Sequence, residues 1–115
     1  MAFLARSDGA ALFLSVLTLG ELRRGVEAIR RTDPAAADQL GAWVDGIETT
    51  FTDRLLEVDA PVASLWGELS AARSLPVIDT LIAATAIQHG LTLVTHNTRD
   101  IADTGVATLD PWTNT

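Results

Sequence analysis

The sequence predicts an α/β layer fold with a mostly parallel sheet, and three observations predict it. Short apolar runs of strand length alternate with longer segments of helical periodicity. The helical segments carry apolar residues at spacings of three and four, which puts them on one face. Asp-Pro, Asp-Ala-Pro and His-Gly steps separate the segments at points where helices start or stop (Asp33-Pro34, Asp59-Ala60-Pro61, His89-Gly90).

Taken in order, Ala10–Leu17 reads as a buried strand, preceded by the turn pair Asp8-Gly9. Thr18–Arg31 reads as a helix whose stripe is Leu19, Leu22, Val26 and Ile29. Asp33-Pro34 ends it and opens a second helix, Pro34–Thr49, with proline in the first turn. Leu55–Val58 is a short strand. Asp59 caps a third helix with the stripe Val62, Leu65, Trp66 and Leu69. After the link Leu75–Val77, Ile78–His89 is apolar nearly all round, so it should be deeply buried, and Gly90 should end it in the left-handed conformation. Leu91–Thr95 and Val106–Leu109 are the remaining strands.

Composition bounds the rest. A length of 115 residues suits a single domain over 1–115, and 48% hydrophobic residues suffice for a core. No apolar stretch reaches the roughly 20 residues that a membrane span needs, and Met1–Leu4 has no signal-peptide pattern. With no cysteine, disulfides and thiolate metal sites are excluded, and a cytoplasmic location is expected. The net charge of −7 gives no general attraction to nucleic acid, so contact with RNA would need a local basic patch or a bound cation. All eight basic residues are arginine. Four of them, Arg23, Arg24, Arg30 and Arg31, share one helix, read either as a solvated face or as phosphate steering beside Glu21.

In sheets of this kind functional groups collect beyond the carboxyl ends of the strands. Thr18 and Glu21 follow the first strand, Asp79 begins the buried helix, and Thr95, Asn97 and Asp100 follow the third strand. Each has a structural reading as well. Thr18-x-x-Glu21 fits a capping box, Asp79 fits an N-cap, and Thr95, Asn97 and Asp100 fit a turn. Local pattern leaves both readings open. Jointly, carboxylates that converge at one sheet edge would repel each other, and a hard divalent cation with oxygen ligands would relieve this. His89 and His96 lack zinc-ligand spacing, and Trp43, Trp66 and Trp112 read as structural.

Three blocks carry a resemblance: Ser15-x-x-Thr18-x-Gly20-Glu21-Leu22, then Leu75-Pro-Val-Ile-Asp79-x-Leu-Ile-Ala-Ala-Thr-Ala86, then His89-Gly-Leu-Thr-Leu-Val-Thr95-x-Asn97-x-x-Asp100. With the ending Gly105-Val-x-x-Leu-Asp-Pro-Trp112, the chain resembles PIN-domain proteins of the VapC/FitB toxin type, from type II toxin–antitoxin systems. The resemblance implies a three-layer α/β sandwich and an acidic site that binds Mg²⁺ or Mn²⁺. It implies an endoribonuclease toxin with an RNA substrate, a VapB-like antitoxin that neutralises it, and a homodimer. On this pattern Asp79 is a direct metal ligand, Glu21 and Asp100 hold the metal or its waters, and Asn97 and Thr18 line the site. The family opens with an apolar strand ending Asp-Thr/Ser-Asn, which this sequence does not supply. The expectation is therefore an N-terminally truncated PIN domain whose first, central strand and first acid are missing, with two strand edges left unpaired. An alternative follows: a catalytically inactive module that binds antitoxin or itself.

Overall fold

The computed structural model describes residues 1–6, 11–72 and 74–111. Asp8, Gly9 and Trp112, singled out above, lie outside them. Five strands, β1 (Phe3–Ala5), β2 (Leu12–Ser15), β3 (Leu55–Leu56), β4 (Thr92–Val94) and β5 (Thr108–Leu109), form one sheet in the order β3-β2-β1-β4-β5. Four helices, α1 (Val16–Arg30), α2 (Pro34–Thr50), α3 (Ala60–Ser70) and α4 (Val77–His89), pack on both sides of it. Short 3-10 turns cover Thr52–Arg54 and Arg99–Thr104.

The sheet is mixed. β2 pairs with β3 and β4 with β5 in parallel, while β1 is antiparallel to both β2 and β4. Four of the five strands thus run the same way, as the alternating pattern predicts, and β1 alone opposes them. One detail differs from expectation. The facing edges of β2 and β4 are not left unpaired, because Phe3–Ala5 lies between them and pairs on both sides, Leu4 opposite Phe13 and Leu93. Buried strand edges without partners are costly, and a three-residue apolar strand satisfies them in either direction. Leu4 is 1% exposed, the Phe3 and Phe51 ring centroids lie 5.8 Å apart, and the Arg54 guanidinium sits over the Phe51 ring at 4.7 Å.

Helix starts follow their caps. Asp33 accepts from the Ala36 amide at 3.0 Å with Pro34 next to it, and Asp59 accepts from the Val62 amide at 3.0 Å. Gly90 ends α4 at φ +66°, where a side chain would be strained. α1 begins earlier than predicted, at Val16, because Ser15 is its cap and accepts from the Leu17 amide at 3.0 Å. The main core joins α4 to the sheet through Leu4, Ile82, Ala83, Ala86, Leu93 and Ile101. A second cluster, Val26, Ala37 and Val44, joins α1 to α2. Among the described residues, no helix is long and apolar enough to cross a membrane.

Candidate functional site

Two helices begin where β2 and β4 put their carboxyl ends, and the structure decides what their acids do. Because Ser15 caps α1, Thr18 lies inside the first turn and Glu21 one turn further on, so the capping box read from Thr18-x-x-Glu21 is not the cap of this helix. Residues three apart share a helix face, so Glu21 stands over Thr18. Thr18 is 3% exposed, and its hydroxyl has no hydrogen-bond partner.

Asp79 is not a cap either. Pro76 holds that position in α4, and its carbonyl accepts from both the amide and the hydroxyl of Thr80. The half-buried Asp79 is thereby left in the first turn, where the helix dipole favours negative charge. Its Oδ2 accepts from Nδ2 of Asn97 at 3.1 Å. Asn97 is itself fixed by its backbone amide, which donates to Oγ1 of Thr95, just past β4, at 3.1 Å. A chain of contacts therefore runs from the end of β4 to the Asp79 carboxylate. Beside it is a hollow of about 10 Å³ lined by Ala2, Asp79, Thr95 and Asn97 over Ile82 and Leu93, close to the room one water needs. A larger concavity lies elsewhere, on the outer face of α1. The small hollow is the one that carries the polar chemistry.

Glu21 and Asp79 sense each other. The Glu21 carboxyl is raised above its ordinary value, first because its surroundings partly remove it from water and next because of repulsion from Asp79. The Met1 amino group and then the Arg24 guanidinium oppose the rise. Glu21 remains an exposed residue, so its carboxyl is only partly withdrawn from water, and Asp79 adds to the rise that this withdrawal begins.

Asp100 does not join them in a three-acid group. Among the described residues, no set of three His, Asp or Glu side chains is close enough to hold a metal ion. The cause is local: the 3-10 turn Arg99–Thr104 is anchored by Ile101, 1% exposed, and leaves its neighbour Asp100 facing solvent. Of the three acids expected to converge, Asp79 has Asn97 and, through it, Thr95 attached, and Glu21 is near enough to feel Asp79. His89 is exposed at the end of α4, and His96 lies 3.3 Å from Asp110. Sequence reading did not foresee Met1 and Ala2 beside the site. The apolar triplet Phe3-Leu4-Ala5 was the available signal.

An α/β sandwich with paired carboxylates at the carboxyl edge of its sheet defines a class, and comparison with known proteins identifies the family. The model of the PIN domain matches residues 1–106, and the chain belongs to that family. It is 31% identical over 107 residues to the toxin FitB of Neisseria gonorrhoeae (strain ATCC 700825 / FA 1090), a match that spans 88% of this chain and 76% of the relative. It is 26% identical over 108 residues to the plasmid stability protein StbB of Pseudomonas syringae pv. tomato, again 88% of this chain and 76% of the relative. Among solved structures, FitAcB from Neisseria gonorrhoeae aligns with a TM-score of 0.78 at 31% identity, covering 87% of this chain and 75% of that one. VapBC2 from Rickettsia felis, bound to a promoter DNA fragment, aligns with a TM-score of 0.63 at 24% identity over 83% of this chain and 70% of that one, a likeness of fold.

Proposed function

We propose that this chain is a Mg²⁺- or Mn²⁺-dependent endoribonuclease toxin, neutralised by a cognate VapB-like antitoxin. One observation carries the reading. Asp79 is held by Asn97 at 3.1 Å beside the small polar hollow past β4, Glu21 of a separate helix has its carboxyl raised in part by Asp79, and neither acid is spent on capping a helix. The donor set fits a hard cation: Mg²⁺ typically takes one or two carboxylates, water and substrate phosphate, and a cation would remove the repulsion felt at Glu21. Glu21 and Asp79 would hold it. When bound, such an ion lowers the pKa of water and neutralises charge developing on phosphate.

The chain's own residues supply the rest. Asn97 fixes the Asp79 carboxylate through its amide, as outer partners of metal ligands do. On this reading the exposed Asp100 would hold water at the edge of the site, and the buried Thr18 hydroxyl, without a partner among the described residues, would lie under Glu21. Water is the nucleophile, so no covalent intermediate forms. The antitoxin reading is supported by relatives that are themselves described as paired assemblies, FitAcB and VapBC2. Self-association as a homodimer belongs to the same reading.

A second reading, a module that binds antitoxin or itself without cleaving RNA, is favoured by the presence of an acid pair where three were expected. The test is cleavage of single-stranded RNA in Mg²⁺. The unmodified chain should cut, and Asp79→Asn should abolish cutting while circular dichroism shows an unchanged fold. Full activity in Asp79→Asn overturns the proposal, and an unmodified chain that folds but does not cut selects the second reading.

A further inference from the structure

Sequence alone left the four arginines of α1 undivided, and the structure sorts them into two kinds. Arg23 donates to Asp45 at 2.6 Å and to Glu48 at 3.0 Å, both on α2. Arg30 pairs with Glu27 at 3.3 Å and with Asp38 of α2 at 2.8 Å. These two clasp one helix to the other. Arg24 and Arg31 are exposed, and their side chains make no ion pair or hydrogen bond among the described residues. The chain has 15 acidic residues for its 8 basic ones, yet among the described residues none of them holds either guanidinium in an ion pair.

They are also aligned. Seven residues make nearly two turns, so Arg31 stands almost directly beyond Arg24, roughly 10 Å along the axis. Glu21 precedes Arg24 by three residues on the adjoining face, and Arg24 is near enough to moderate its charge. Between the arginines comes Ala28, whose short side chain leaves the surface open. A concavity of about 730 Å³ lies here, lined by Arg24, Glu27, Ala28, Arg30 and Arg31. A cation in the last turn of a helix is favoured by the dipole, which accounts for Arg31 at the end of α1. It does not account for Arg24, and it does not account for the alignment with Glu21.

We infer that Arg24 and Arg31 form a phosphate track that leads the RNA strand away from the Glu21–Asp79 site along α1. This rests on the nuclease reading and adds to it the path of the substrate. The chemistry suits the role. Guanidinium makes two parallel bonds to phosphate, and in a chain of net charge −7 a local stripe of free cations is what a polyanion needs for anchorage. At ~3.4 Å per nucleotide of a stacked strand, the arginines engage phosphates about three nucleotides apart.

The test is fluorescence anisotropy of a labelled single-stranded oligoribonucleotide, with the full chain in EDTA so that no cleavage occurs, over a range of salt. Removing both contacts in Arg24→Gln/Arg31→Gln should reduce the slope of log K against log salt by about 1.4, because each phosphate contact on a single strand contributes ~0.7. Arg23→Gln, which unclasps α2, should leave the slope as it is. With Mg²⁺ restored, the double variant should raise KM for RNA more than it lowers kcat. An unchanged slope in the double variant, with Asp79→Asn still abolishing cleavage, overturns the track and leaves the nuclease standing. An unmodified chain that neither binds nor cuts RNA overturns both. Unchanged RNA affinity with lost binding of a labelled acidic peptide assigns the stripe to a protein partner and also overturns the proposal.

Discussion

Leu4→Ala probes the least expected part of the fold, the strand at the centre of the sheet. Leu4 is 1% exposed and packs with Ile82, Ala83, Leu93 and Ile101. The substitution deletes three carbon atoms, roughly 2.4 kcal/mol at ~0.8 kcal/mol per buried methylene. The cavity left behind adds to this, and comparable core substitutions cost about 3 kcal/mol. For a domain of 115 residues, the entropy of unfolding is about 0.24 kcal/mol per kelvin, so the melting temperature should fall by about 12 °C. Thermal unfolding followed by circular dichroism, in EDTA, reads this directly. Leu12→Ala is the internal control: Leu12 belongs to the neighbouring strand but is 41% exposed, and its loss should cost less than about 1 kcal/mol, a fall of about 4 °C at most. If Leu4→Ala shifts the melting temperature no more than Leu12→Ala does, β1 is not seated between β2 and β4.

Asn97→Ala removes the amide that holds Asp79, so divalent-cation affinity and RNA cleavage should each fall by about 10- to 100-fold with the fold retained, measured by calorimetry and by initial rates. A loss in melting temperature as large as that of Leu4→Ala would assign Asn97 to stability instead. For Glu21, the folded-state pKa is raised, so the folded chain keeps its proton to higher pH than the unfolded chain does. The stability this gives is full below the ordinary glutamate range and is lost as pH rises through the raised value. In EDTA at pH 7, Glu21→Gln should therefore unfold at the same temperature as the unmodified chain or higher, and its melting temperature should vary less between pH 4 and 7. Adding Mg²⁺ should stabilise the unmodified chain more than the variant. A variant less stable than its parent in EDTA would mean that Glu21 is not under repulsion from Asp79.

Much of the fold was legible because its signals are local. Asp33, Asp59 and Gly90 each act within a few residues of themselves, and each marks the helix end that it was expected to mark. β1 was not legible, because its three residues carry no periodicity and its place depends on pairing with residues some 90 positions away, Phe3 with Val94. At the candidate site, Asp79 was singled out by the conflict between its charge and its apolar helix, and the Asn97 bond to it shows why that conflict is tolerated. Glu21 was singled out too, though its capping-box reading depended on starting α1 at Thr18. The Ser15 hydroxyl is the cap, and shifting the start by two residues releases Glu21. Asp100 was read from spacing after a strand. What spacing could not reveal is that Ile101 is buried in the core while Asp100 beside it is exposed.

Isothermal titration with Mn²⁺ addresses the acid pair without relying on turnover. One ion per folded chain is expected, with binding lost in Asp79→Asn and in Glu21→Gln and kept in Asp103→Asn, whose carboxylate lies on the far part of the 3-10 turn. Equal Mn²⁺ affinity in the unmodified chain and in Asp79→Asn would show that these two carboxylates are not where a cation binds, and the catalytic reading would go with it.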